Sequence, residues 1–171
     1  MTNSVHILKQ ARIWIDDTLG LTPEVMRSKV FRIAEDHGAP ELIVVDNLQQ
    51  MRVPGLRGNR IASLKELAKE TRAPIIATSH LLRSTERGYG NNSRPVLSDL
   101  RDSGAIEDIA DGVLLLNRND ADPEMLEVIV TKQKHGPIGS VLLRFLESFS
   151  LVDSIQTTDD REQSWSCQRT S

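Results

Sequence analysis

Asp46 closes an unbroken apolar run, Leu42-Ile-Val-Val45, and Asn47 follows it. A run that short reads as a strand buried on both faces, as in a parallel sheet. Open α/β sheets bind ligands outside the carboxyl ends of their strands. A carboxylate at that position, with Asn47 beside it, can hold a hydrated metal ion next to a phosphate chain, the arrangement known as Walker B. A core strand that meets an aspartate in a turn has the same pattern, so the stretch by itself does not decide. A second apolar run, Ile75-Ile-Ala-Thr-Ser79, also ends in a polar group, His80.

The elements around these two runs follow from local signals. Arg12-Ile-Trp-Ile-Asp16 predicts a short strand, since Ile13, Trp14 and Ile15 are β-formers. Thr22-Pro23-Glu24 predicts a helix start, with Thr as cap, Pro in the first turn and an acidic residue behind it. Met26, Val30, Ile33 and Ala34 supply its apolar stripe, and Gly38 and Pro40 end it. Ile61, Leu64, Leu67 and Ala68 mark a second helix that ends near Thr71. Strand, helix, strand, helix, strand in that order argues for a parallel sheet with crossover helices. Leu81 to Pro95 reads as a long loop, and Leu97 to Asp108 as a turn or two of helix with Ser103 able to cap the second piece. Gly112–Leu116 predicts another buried strand. Glu127–Thr131 and Ser140–Leu146 predict a hairpin around Gly136-Pro137. The expected organisation is one α/β domain over residues 1–152, then a disordered polar tail over 153–171.

Length and composition narrow the function classes. A chain of 171 residues is enough for one good core. The net charge of −3 means that any nucleic-acid binding must come from local basic groups. The single cysteine, Cys167, cannot form an internal disulfide, which fits a reducing, cytoplasmic setting. No apolar stretch approaches the length of a membrane span, and the first residues do not form a signal peptide.

Four stretches occur in register: Ile15-Asp-Asp-Thr-Leu-Gly-Leu-Thr22, Leu42-Ile-Val-Val-Asp-Asn-Leu-Gln49, Ser98-Asp-Leu-Arg-Asp-Ser-Gly-Ala-Ile-Glu107 and Lys132-Gln-Lys-His-Gly-Pro-Ile-Gly139. Together they resemble the C-terminal motor domain of the hexameric replicative DNA helicases of the DnaB type, from about Arg12 to Phe149. The resemblance implies a RecA-like P-loop NTPase core with a mainly parallel sheet and a C-terminal antiparallel hairpin. It also implies ATP and Mg²⁺ as cofactors, and single-stranded DNA and the other helicase subunits of a hexameric ring as partners. A non-catalytic module that binds DNA or caps such a ring is the alternative.

Site roles carry over by position. Asp46 matches the Walker B carboxylate that holds the water shell of Mg²⁺. His80 stands where the family usually has a glutamine that senses the γ-phosphate, and a neutral imidazole can still donate one hydrogen bond. Arg101, Asp102 and Gly104 match the loop that grips the DNA backbone in the central channel, where contacts carry no sequence information. Lys132 and Lys134 match the basic pair that reaches the neighbouring subunit's ATP. Lys134 replaces the common arginine finger with a point charge that lacks a planar fork.

The 171 residues contain no G-x-x-x-x-G-K-[ST] phosphate loop. In the family that loop, the catalytic glutamate and the N-terminal domain all precede the segment matched here, so the resemblance implies a partial motor domain without the Walker A strand. That strand lies between those expected at Ile75 and Gly112. Without it, either these two strands pair or an edge stays open. The chain alone is therefore expected to be inactive as an ATPase.

Overall fold

In the computed structural model, residues 6, 8–52, 59–82, 94–101, 103–119 and 122–155 are described. Helix α1 spans Pro23–His37. Its start is built as the sequence predicts: Val25 N donates to Thr22 Oγ1 at 3.4 Å and Pro23 fills the first helical position. Gly38 ends it at φ 90°, and its N–H returns to Ala34 O at 2.9 Å. Helix α2 spans Arg60–Thr71, capped by the Asn59 side chain, which accepts from Ile61 N and Ala62 N. It stops at Arg72, which takes the left-handed conformation at φ 55°.

Strands β1 (Ile43–Val45) and β2 (Ile75–Ala77) pair in parallel, with Val44 opposite Ile76. A second sheet is antiparallel throughout and runs in the order β3 (Gly112–Asn119), β4 (Asp122–Gln133), β5 (Gly139–Leu146), β6 (Leu151–Ser154). A short helix, α3 (Ser103–Ile109), precedes β3, with Ser103 as its first residue. The α/β class holds, and so do the parallel pair and the β4–β5 hairpin. The antiparallel part is larger than expected: β4 starts well before Glu127 and pairs on both sides.

One apolar cluster joins the two sheets. Val45, Leu48 and Met51 from the β1 side meet Leu64 of α2, Leu100, Ile106 of α3, and Val113, Leu115 and Ile129 of the second sheet. The opposite faces are open. Val44 is 61% exposed, Ile76 56%, Leu114 60% and Leu116 61%. The run ending in Asp46 is therefore buried on one face, not both. An apolar run records that a residue can be buried, not that something covers it.

Two further expectations change, and one left open is decided among the described residues. Residues 12–18 are extended but join no ladder among the described residues, and Ile15 is 89% exposed. Strand-forming side chains alone do not make a strand, because the stabilisation comes from a partner. β2 and β3 belong to separate ladders, so the open-edge outcome is the one found. Asp153 and Ser154 lie in β6, which moves the end of the ordered domain past 152. The rest of the expected tail, from 156 on, lies outside the described residues, as do 53–58 and most of the Leu81–Pro95 loop.

Candidate nucleotide and DNA site

The parallel pairing of β1 and β2 brings their carboxyl ends side by side, and this assembles a polar cluster. Backbone bonds set the frame: Thr78 N donates to Val45 O and Leu48 N to Thr78 O, each at 3.0 Å. Thr78 Oγ1 donates to Asp46 Oδ1 at 2.5 Å, leaving the other oxygen of this exposed carboxylate open. Asn47 Nδ2 lies 3.0 Å from His80 Nε2. Gln49 clamps the following residues: its Nε2 donates to Ser79 Oγ at 2.9 Å, and its Oε1 accepts from His80 N at 3.3 Å. Asp46 and His80 are thus in one cluster. Thr78, Ser79 and Gln49 belong to it too and were missed as site residues. For Thr78 and Ser79 the signal was their place at the end of an apolar strand, whereas Gln49 lies four residues past one.

Asp46 and Asn47 fit a hydrated magnesium ion. The open carboxylate oxygen can accept from its water shell. Asn47 Oδ1 is buried without a hydrogen-bond partner among the described residues, an acceptor with nothing to accept from. No cluster of three or more His, Cys, Asp or Glu side chains exists among the described residues. An ion held through water and one carboxylate needs none, since Mg²⁺ keeps several waters and takes further ligands from phosphates.

Arg101 and Gly104 flank the start of α3. Arg101 is exposed, and Gly104 has nothing within 4 Å of where a Cβ would stand. Asp102, expected in the same loop, lies outside the described residues. This loop is tied to the polar cluster by an antiparallel bridge between Leu81 and Leu100, with Leu82 N donating to Asp99 O at 2.6 Å. His80 and Arg101 are therefore each one residue from the same bridge.

Lys132 and Lys134 turn toward their own chain. Lys132 Nζ donates to Glu107 O in the last turn of α3, where carbonyls lack helical partners. Lys134 Nζ lies 3.0 Å from Asp111 Oδ1, and Lys65 Nζ pairs with Asp111 Oδ2. Among the described residues neither β4-end lysine bonds to Asp46 or His80. The hydrogen bond from Lys65, then that from Lys134, pulls the Asp111 carboxyl down to about 2. Lys65 and Asp111 were not expected at this position, since they lie far from Lys134 in sequence.

A model of the DnaB-like helicase C-terminal domain matches residues 1–154. The chain belongs to that family. The replicative DNA helicase DnaB of Pasteurella multocida (strain Pm70) is 42% identical over 161 residues, covering 86% of this chain and 34% of that protein. The Haemophilus influenzae DnaB (strain KW20 / Rd) is 41% identical over 165 residues, covering 88% and 35%. The chain thus spans about a third of the length of the curated relatives it matches. Among solved structures, a DnaB-like replicative helicase studied with primase superposes at a TM-score of 0.75 with 25% identity, over 91% of this chain and 40% of that one. The ATPase domain of G40P gives 0.73 at 25% identity, over 91% and 59%. The fold is that of DnaB-like helicase ATPase domains. No helix among the described residues is long and apolar enough to cross a membrane.

Proposed function

We propose that the chain is a segment of an ATP-dependent replicative DNA helicase, a motor that moves along single-stranded DNA and unwinds duplex. The observation that carries this reading is the meeting of Asp46 and His80 at adjacent strand ends in a chain of this family. Asp46 holds the water shell of Mg²⁺, with Asn47 beside it. When bound, such an ion would supply charge neutralisation to the phosphates. His80 donates one hydrogen bond to the γ-phosphate. Arg101, Asp102 and Gly104 hold the DNA backbone. Lys132 and Lys134 serve the nucleotide of a neighbouring subunit in a ring, for which Lys134 must leave Asp111. Work of this kind belongs in the cytoplasm. A second reading, a non-catalytic module that binds DNA or a helicase ring, is favoured by the engagement of Lys132 and Lys134 within their own chain.

Binding of a labelled oligo-dT strand, followed by anisotropy against salt, tests the DNA part. The expected binding is weak, indifferent to sequence and lost as salt rises. Arg101→Ala weakens it, and equal binding by the variant sinks the assignment of that loop. Magnesium-dependent ATP turnover by the 171-residue chain is expected to equal that of Asp46→Ala, because positioning of the phosphates is what drives phosphoryl transfer. Inhibition of an intact DnaB ring by added chain supports the second reading.

A further inference from the structure

Asn47 follows Asp46 in the chain and meets the His80 ring, and its two amide atoms are treated unequally. Nδ2 lies 3.0 Å from His80 Nε2, whereas Oδ1 is buried with no partner among the described residues. A contact between two nitrogens at that distance needs one donor and one acceptor. Asn47 Nδ2 has only hydrogens to give, so His80 Nε2 accepts and the ring proton sits on Nδ1.

Turning the amide over is the alternative. Oδ1 would then accept from Nε2–H, and both hydrogens of Nδ2 would occupy the place where one oxygen now lacks a partner. Two unpaired buried donors are a worse outcome than one unpaired acceptor, and unpaired carbonyl oxygens are the better tolerated of the two. The orientation with Nδ2 toward the ring is therefore favoured by the surroundings and does not depend on how the atoms are named.

We propose that Asn47 is a positioning residue that fixes His80 as its Nδ1–H tautomer, so that the ring's one remaining donor is Nδ1–H. The proposal rests on the reading of His80 as a phosphate donor and adds which edge of the ring a phosphate oxygen must approach. Two restraints act together. Gln49 holds the His80 backbone through His80 N and Ser79 Oγ, and Asn47 holds the ring. The two nitrogens of a histidine are chemically distinct, and the bond made by one sets what the other can do. With Nε2 engaged, a phosphate arriving at that edge would meet a lone pair already in use and no proton.

The test is long-range proton–nitrogen NMR on the full ¹⁵N-labelled chain at neutral pH without nucleotide, with the His80 signals assigned by their loss in His80→Gln. The expected pattern is a protonated Nδ1 and an unprotonated Nε2, and the reverse pattern overturns the proposal. Asn47→Asp replaces the donor with an acceptor, and the expected result is a shift of the proton to Nε2. A His80 that keeps Nδ1–H in this variant overturns the role of Asn47. The unsubstituted chain decides the tautomer even if the variant fails to fold. Because no nucleotide is present, these outcomes are separate from the phosphate reading.

Discussion

Leu114 and Leu115 are neighbours on β3 that face opposite ways, and truncating each to alanine removes the same atoms from two environments. Leu115 is 2% exposed, in the cluster with Val45, Leu64, Ile106 and Ile129, while Leu114 is 60% exposed. Leu115→Ala loses the transfer energy of its side chain and opens a cavity that four elements border. The expected cost is about 3–5 kcal/mol. Leu114→Ala leaves no cavity, and less than half of its side chain was out of water. Full burial of a leucine is worth about 1.5–3 kcal/mol, so its expected cost is roughly 1 kcal/mol or less. Urea unfolding followed by circular dichroism measures both, provided the slopes agree so that midpoints can be compared. The expected gap of about 2–4 kcal/mol is a large part of a total stability of about 5–15 kcal/mol. Equal costs at the two positions would refute the placement of the open face.

Asn59→Ala removes the side chain that accepts from Ile61 N and Ala62 N at the start of α2, and should cost about 1 kcal/mol in the same assay. Arg27 and Glu70 link α1 to α2 through two bonds of 2.6 and 2.8 Å, yet both are exposed. A double-mutant cycle on them is expected to give about 0.2–1 kcal/mol of coupling, falling with added salt. Asp111 has its folded value depressed to about 2 by Lys65 and then Lys134. Its contribution is present above the ordinary aspartate value of about 4 and disappears as the pH falls toward 2. The group is 54% exposed, so solvent screening keeps the effect small. Asp111→Asn should flatten the acid limb of the stability profile between those values, and an unchanged limb would count against the ion triad.

What the sequence made legible was what local chemistry decides. The start of α1 at Thr22-Pro23, its end at Gly38 and the apolar runs of β1 and β2 each depend on residues a few positions apart. What depends on partners was not legible. Ile13, Trp14 and Ile15 have the side chains of a strand, but no ladder lies beside them among the described residues. Leu151-Val152-Asp153-Ser154 reads as the start of a polar tail, because an edge strand exposed at every residue has no apolar alternation to show. The site divides in the same way. Asp46 and His80 stand out because each ends an apolar run. The bonds from Asn47 to His80 and from Gln49 to Ser79 and His80 cross about thirty residues and exist only once β1 and β2 pair. The bond between Lys134 and Asp111 needs β3 and β4 in register in the same way, and Lys134 N to Asp111 O at 2.9 Å is the end of that ladder.

The segment from Leu97 to Asp111 is where the three expected sites come within reach of one another. Its Leu100 bridges Leu81, next to His80, and its next residue is Arg101. Asp99, 6% exposed, closes the turn between them: its Oδ2 accepts from Val96 N at 2.8 Å and its carbonyl from Leu82 N at 2.6 Å. The far end of the segment receives Lys132 on Glu107 O and Lys134 on Asp111. Ile106, between the two ends, is anchored in the core. One hydrogen-bonded bridge therefore separates His80 from Arg101. The described residues of this segment thus join the strand end at His80 to Lys132 and Lys134 through bonds at both of its ends, with a buried side chain between them.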